Sequence, residues 1–148
     1  MHTENTIYMQ APPERVFELA ADIARWPELL PHYRWVRVFE EKPGMRVAEM
    51  AAHRAYFPVK WTSVQRLFPE RGRIVYHHLR GVTAGMDVEW RMEARDGGTE
   101  VTILHDLDPA NPLLRSRLAG WIVGDFFVKG IAARTLHHLK IVAEGDRS

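Results

Sequence analysis

"AGMDVEWRMEARDGGTEVTILHDL", residues 84–107, is the stretch on which the fold turns. Met86, Val88, Trp90 and Met92 alternate strictly with Asp87, Glu89, Arg91 and Glu93. Large apolar residues alternating with charged ones at a period of two make a strand with one covered and one wet face. "RDGG" supplies the turn chemistry, and Val101, Ile103, His105 and Leu107 then share one face of the following run. Two such runs predict an antiparallel hairpin, with strands over about 84–95 and 99–107. One face of that hairpin needs a cover.

Upstream, turn residues in "EKPG", "YFP", "PERG" and "RGVTAG" divide the chain into four more strands, at about 33–40, 46–56, 58–68 and 72–80. An opening strand, "TENTIYMQ", precedes them, with Ile7 and Met9 on one side. Between the opening strand and the others lies "APPERVFELAADIARW", a helix whose first turn accepts Pro12 and Pro13 because an N–H is not needed there. Val16, Phe17, Leu19, Ala20 and Ile23 give it an apolar face. Pro27 breaks it near Trp26, and "PELL" forms one further turn closed by Pro31. Downstream, Asn111 caps and Pro112 starts a long helix to about Ala143, with apolar residues at helical spacing. Only this last helix is long enough to cover the sheet. The order predicts a single α+β domain over residues 1–148, with a curved antiparallel sheet of about seven strands, a short broken helix after the first strand, and a long C-terminal helix. A sheet that curls around a helix without closing leaves an apolar hollow, the usual form of a ligand site.

Composition removes several functional classes. Twenty Lys and Arg against 19 Asp and Glu leave a net charge of +1, which is no electrostatic footprint for nucleic acid. With no cysteine, disulfides, thiolate nucleophiles and Cys-based metal sites are excluded. His77–His78 and His137–His138 are adjacent pairs that diverge on strand or helix, so no metal site is expected. No Walker, G-x-S-x-G or G-x-G-x-x-G signature occurs, and no cofactor is expected. Neither a signal peptide nor a bilayer-length apolar run is visible, so the expected location is cytoplasmic, with at most transient membrane contact. Oligomeric state is not legible.

Three phrases, taken in order, resemble a known superfamily. They are "APPERVFELAADIARWPELLPHY" (11–33), "WTSVQRLFPERGRIVYHHLRG" (61–81) and "GMDVEWRMEARDGGTEVTILHDL" (85–107). Together with the C-terminal helix they resemble the START-like superfamily, the polyketide cyclase/dehydrase and lipid-transport group. The resemblance covers essentially the whole chain and implies the helix-grip fold. "DIARWPELLPHY" is similar to the matching segment of ubiquinone-binding lipid chaperones. "GMDVEWRMEARDGGTEV" and the Trp-Pro of "RWPEL" resemble aromatic polyketide aromatase/cyclases. Such enzymes promote aldol closure and dehydration of a poly-β-ketone, using an interior arginine, aromatic residues and hydroxyl or acid groups.

Candidate site residues follow from both readings. Trp26 and Tyr33 stand beside helix-breaking prolines, which suits the lip of a cavity with polar tips near water. Tyr56, Trp61, Met86, Val88, Trp90 and Ile103 complete the sheet side of the expected wall, and Trp121, Ile122 and Phe126 its helix side. His105 lies on the covered face, either as an acid/base or as a hydrogen-bonded wall residue. Arg66 falls in the strand where the cyclases keep their arginine, although alternation groups Trp61, Ser63 and Gln65 on one face and sends Arg66 to the other. His53 and Tyr56 are further groups able to move protons. The expected partner is a hydrophobic small molecule (a polyketide, isoprenoid quinone or lipid), carried or chaperoned in the hollow. The alternatives are a cyclase acting on that molecule and a protein-interaction module of the same fold.

Overall fold

A computed structural model describes residues 2–54, 56–81, 83–107 and 128–145. Seven strands form one antiparallel sheet: β1 (His2–Met9), β2 (Tyr33–Lys42), β3 (Met45–Arg54), β4 (Phe57–Phe68), β5 (Arg73–Gly81), β6 (Asp87–Arg95) and β7 (Gly98–Asp106). The spatial order is β1-β7-β6-β5-β4-β3-β2, so every neighbour but β1–β7 is also a sequence neighbour. This is the helix-grip fold expected from the sequence.

The deciding hairpin forms with the predicted faces. Val88, Trp90 and Met92 are buried, as are Val101, Ile103 and His105 on β7, while Asp87, Arg91 and Glu93 are exposed. Its turn is shorter than the four residues of "RDGG". Arg95 pairs with Gly98, leaving only Asp96 at φ 49° and Gly97 at φ 78°. Two successive positive φ values match the right-handed twist of the flanking strands. The strand also starts later than the pattern suggested, because residues 83–85 belong to a turn.

Helix α1 (Pro13–Ala21) ends earlier than the position of Pro27 implied, and a short 3₁₀ turn (Ile23–Arg25) follows. Pro27 starts rather than stops a helix: it sits in the first turn of α2 (Trp26–Leu29), where its missing N–H is harmless. Helix α3 (Gly130–Gly145) lies in the grip, burying Ile131, Ala132, Thr135, Leu136, Leu139 and Ala143 along one stripe. The expected start of this helix near Asn111 lies outside the described residues. Its far end is tied down by polar contacts. Lys140 Nζ donates to the Tyr8 carbonyl at 3.0 Å, and Glu144 accepts from the Gln10 amide at 2.7 Å. Arg15 Nε donates to the Ala143 carbonyl at 3.2 Å, fixing α1 against α3.

Candidate functional site

Between the sheet and α3 lies a cavity, reached by side chains from α2, from β2 through β7 and from α3. Alternation places Met50 (β3), Trp61 (β4), Tyr76 and His78 (β5), Val88 and Trp90 (β6), and Ile103 and His105 (β7) on its wall. Its volume is about 80 Å³.

Aromatic rings make a continuous belt around this space. Trp26 packs on Trp90 at 5.8 Å and on Tyr33 at 5.1 Å between centroids. Tyr33 then meets Trp61 edge-on at 6.1 Å, and Trp61 stacks on His78 at 5.6 Å with 8° between planes. Trp26 and Tyr33 are not at a wet lip. They are 2% and 7% exposed, and their polar tips are used within the protein. Trp26 Nε1 donates to the Leu19 carbonyl at 3.1 Å, and the Tyr33 hydroxyl bonds the Thr135 side chain. The short helix α2, which contains Pro27, turns the chain so that both rings face inward, where the apolar wall offers more burial than a rim would. The third aromatic of that segment, Trp35, goes to the other face of β2. There its Nε1 donates to Glu49 Oε1 at 2.9 Å under the guanidinium groups of Arg34 and Arg37.

Among the described residues, no Asp, Glu, Lys or Arg lines the cavity. Its titratable groups are Tyr33, Tyr76, His78 and His105, and burial holds all four neutral. Burial raises both phenols well above their usual range. It lowers His78 to about 3, aided by the nearby His105 and His77, and it lowers His105 to about 4. Asp106 opposes the shift at His105, but less strongly. The two histidines differ in their bonding. His78 Nδ1 is 2.8 Å from Thr83 Oγ1, whereas His105 Nδ1 is buried with no hydrogen-bond partner. A buried polar atom without a partner costs on the order of 1–3 kcal/mol, so its retention calls for an explanation. Ser63 Oγ, on the inner face of β4, is orphaned in the same way.

A separate polar plug closes one side of the grip. Gln65 Nε2 donates to the Tyr76 hydroxyl at 3.0 Å and to the Ala21 carbonyl at 3.1 Å, and Arg46 Nη1 donates to that same carbonyl at 2.8 Å. On α3, Thr135 Oγ1 donates to the Ile131 carbonyl at 2.8 Å, so His32 Nε2, 2.9 Å away, is the donor to Thr135. Burial lowers His32 to about 4, with His138 and Arg134 adding to the shift.

Two expected site residues lie elsewhere. Arg66 is exposed on the outer face of β4, because alternation there is unbroken and Ser63 and Gln65 take the inward positions. Tyr56 is 98% exposed in the turn between β3 and β4, too far along the hairpin to fold back into the wall. His53 is half-buried and does not line the cavity. Trp121, Ile122 and Phe126 fall outside the described residues. Sequence reasoning missed His78 and Thr83. Alternation from Ile74 through Tyr76 would have turned His78 inward, but nothing local marks Thr83 as part of the wall. No cluster of three or more His, Asp or Glu suited to a metal ion occurs among the described residues, and no helix among them is long and apolar enough to cross a membrane.

A sequence profile of the family described as polyketide cyclase/dehydrase and lipid transport matches residues 9–135. The chain belongs to this family. It is 30% identical over 120 residues to the actinorhodin polyketide synthase bifunctional cyclase/dehydratase of Streptomyces coelicolor. That match covers 77% of this chain but only 38% of the relative, so the chain spans well under half of that protein. A putative polyketide cyclase of Streptomyces cyaneus is 27% identical over 103 residues, covering 68% of each chain. Among solved structures, an aromatase/cyclase of a Streptomyces species superposes with a TM-score of 0.84 at 25% identity, covering 97% of this chain and 93% of that one. A Thermus thermophilus protein superposes over the full length of both chains, with a TM-score of 0.85 at 19% identity, which speaks to the fold alone.

Proposed function

We propose that this chain receives a polyketide-class molecule in the cavity and promotes its ring closure and dehydration, with His105 as the group that exchanges the proton. One observation carries the reading: His105, held neutral by burial, lines an aromatic-walled cavity that has no charged side chain among its described residues. In an aldol closure, a methylene between two carbonyls loses a proton, its carbon bonds to a distant carbonyl carbon, and the resulting alkoxide gains a proton. Dehydration then removes a second proton from carbon while the new hydroxyl departs as water. An imidazole that takes the carbon's proton becomes, in this apolar wall, a strong acid, since burial lowers His105 to about 4. It therefore returns the proton readily to the alkoxide or the departing hydroxyl. The lowered value makes His105 a reluctant base, so the acidity of a methylene flanked by two carbonyls is needed for the first step.

The carrier reading stands second. What favours it is the lack of any arginine among the described wall residues, where the cyclase resemblance implies one. The two are separated by incubating wild type and His105→Gln with a model poly-β-ketone, with binding of a cyclised product analogue measured in parallel. The cyclase reading expects wild-type turnover that falls by about 10²-fold in the variant while analogue binding is kept. Tight analogue binding with no wild-type turnover above the uncatalysed rate supports the carrier.

A further inference from the structure

We infer that His78 and Thr83 form a second polar subsite in the same cavity, one that recognises a neutral oxygen, a ring hydroxyl or carbonyl, on the bound molecule. The inference rests on the cavity being a ligand site, as proposed above. Both residues line the cavity, at 6% and 5% exposure, and Thr83 Oγ1 holds His78 Nδ1 at 2.8 Å. With Nδ1 engaged, Nε2 is the ring nitrogen left for a ligand. Either tautomer serves: Nε2–H donates to a carbonyl, and bare Nε2 accepts from a hydroxyl.

The local backbone is built to keep this pair in place. The turn that carries Thr83 is folded by hydrogen bonds from the His78 amide to the Met86 carbonyl at 2.9 Å, from Gly85 to His78 at 2.8 Å and from Met86 to Thr83 at 3.0 Å. The ladder between β4 and β5 shifts register here. Thr62 pairs with Arg80 but Ser63 with His78, leaving Leu79 as an extra, exposed residue. Gly81 sits at φ 111°, and a Cβ there would come within 2.8 Å of the Lys60 carbonyl oxygen and 3.2 Å of Trp61 Cα. Only glycine allows that approach, and the neighbouring Trp61 ring lies flat against His78. The imidazole is thus clamped by a hydroxyl at Nδ1 and a ring on its face, an arrangement that fixes the direction in which it presents its remaining nitrogen.

The position also complements His105. Val88 pairs with His105 on one side and with Tyr76, two residues before His78, on the other. The two histidines therefore flank β6 on the inner face. Among its described residues this wall carries no charge to pair with a carboxylate or a cation, so oxygen in a neutral ring system is the chemistry it fits.

The test uses naphthalene and 1-naphthol as probes, titrated against the full chain by tryptophan fluorescence. Wild type, His78→Leu and Thr83→Val are compared, each checked by thermal melting. The expected result is that wild type binds 1-naphthol about tenfold more tightly than naphthalene, the scale of one neutral hydrogen bond. In His78→Leu the preference falls to within about twofold while naphthalene binding changes little, and Thr83→Val gives an intermediate loss. Preference unchanged in both variants overturns the subsite alone and leaves the cavity reading standing. Failure of wild type to bind either probe overturns the cavity reading and the subsite with it. If the variants do not fold, the ¹⁵N shift of His78 Nε2 in wild type decides: it moves with 1-naphthol and not with naphthalene, and an unmoved signal at saturating 1-naphthol refutes the assignment.

Discussion

Two neutral histidines in an apolar wall make this fold sensitive to mild acid, and the size of the effect can be worked out. In the unfolded chain His78 and His105 titrate near 6.5, and in the folded protein burial lowers them to about 3 and about 4. Between those values the unfolded state binds more protons than the native state, so stability falls as pH falls. The stability is fully present above about pH 6.5 and is lost progressively down to the folded values. At pH 5 each histidine lies about 1.5 units below its unfolded value and above its folded one. Each therefore costs about 2 kcal/mol at 1.36 kcal/mol per unit, or about 4 kcal/mol for the pair. Against a typical domain stability of about 5–15 kcal/mol, that is a large share. His32 shifts in the same direction and adds to the slope. The assay is urea unfolding from pH 8 to pH 5 for wild type, His78→Gln and His105→Gln. Each variant should lose less stability than wild type over that span, by about 2 kcal/mol, whatever its stability at pH 8. Comparing spans within one variant cancels the packing cost of the substitution. A wild-type profile that is flat from pH 8 to pH 5, or variants that keep the full wild-type slope, would refute the placement of neutral histidines in the wall.

Two further outcomes follow from the placement of single residues. Arg66→Gln should change stability by no more than about 0.5 kcal/mol and leave 1-naphthol binding unaltered, because the side chain is exposed on the outer face; a tenfold loss of binding would mean that Arg66 reaches the cavity. Trp26→Ala should cost about 3–5 kcal/mol in chemical denaturation, since the ring is 2% exposed and packed on Trp90 and Tyr33; a loss under about 1 kcal/mol would return Trp26 to a wet rim.

The sheet was readable because its signal is periodic. Strict alternation in "GMDVEWRMEA" made the inward set of β6 legible, and the same rule put His105 inside and Arg66 outside. What escaped was set by the direction of turns. "RWPELLPHY" shows that the chain bends, but the backbone alone decides that the bend swings Trp26 and Tyr33 inward and leaves Trp35 on the opposite face, against Glu49. Tyr56 illustrates the converse: an aromatic at a hairpin tip has no neighbouring strand to cover it, so its hydrophobicity could not bring it to the wall. Thr83 joins the site through a turn closed by backbone hydrogen bonds, and those bonds leave no trace in residue periodicity.

The fate of Arg66 bears directly on the chemistry. A bulge in β4 would have turned its guanidinium toward the cavity. The irregularity belongs instead to β5, where Leu79 is the extra residue, so the alternation of β4 runs unbroken and delivers Ser63 and Gln65 to the interior. Gln65 is spent on Tyr76 and the Ala21 carbonyl, leaving the Tyr76 hydroxyl, His78 and His105 as polar groups of the described wall that can still meet a ligand. Negative charge developing on a ligand oxygen would then be met by neutral donors rather than by a fixed cation. In a dry, uncharged wall such donors act more strongly than in water, but each supplies less than a guanidinium would. If the cavity carries out the ring closure proposed above, it should favour closures in which the proton and the charge move together, and turnover should rise with an arginine introduced at Ser63. Ser63→Arg gives that idea its test. Turnover of the model poly-β-ketone that rises in a folded variant would show that charge stabilisation is what the wild-type wall lacks. Turnover that falls while 1-naphthol binding persists would show that the neutral wall is itself part of the mechanism.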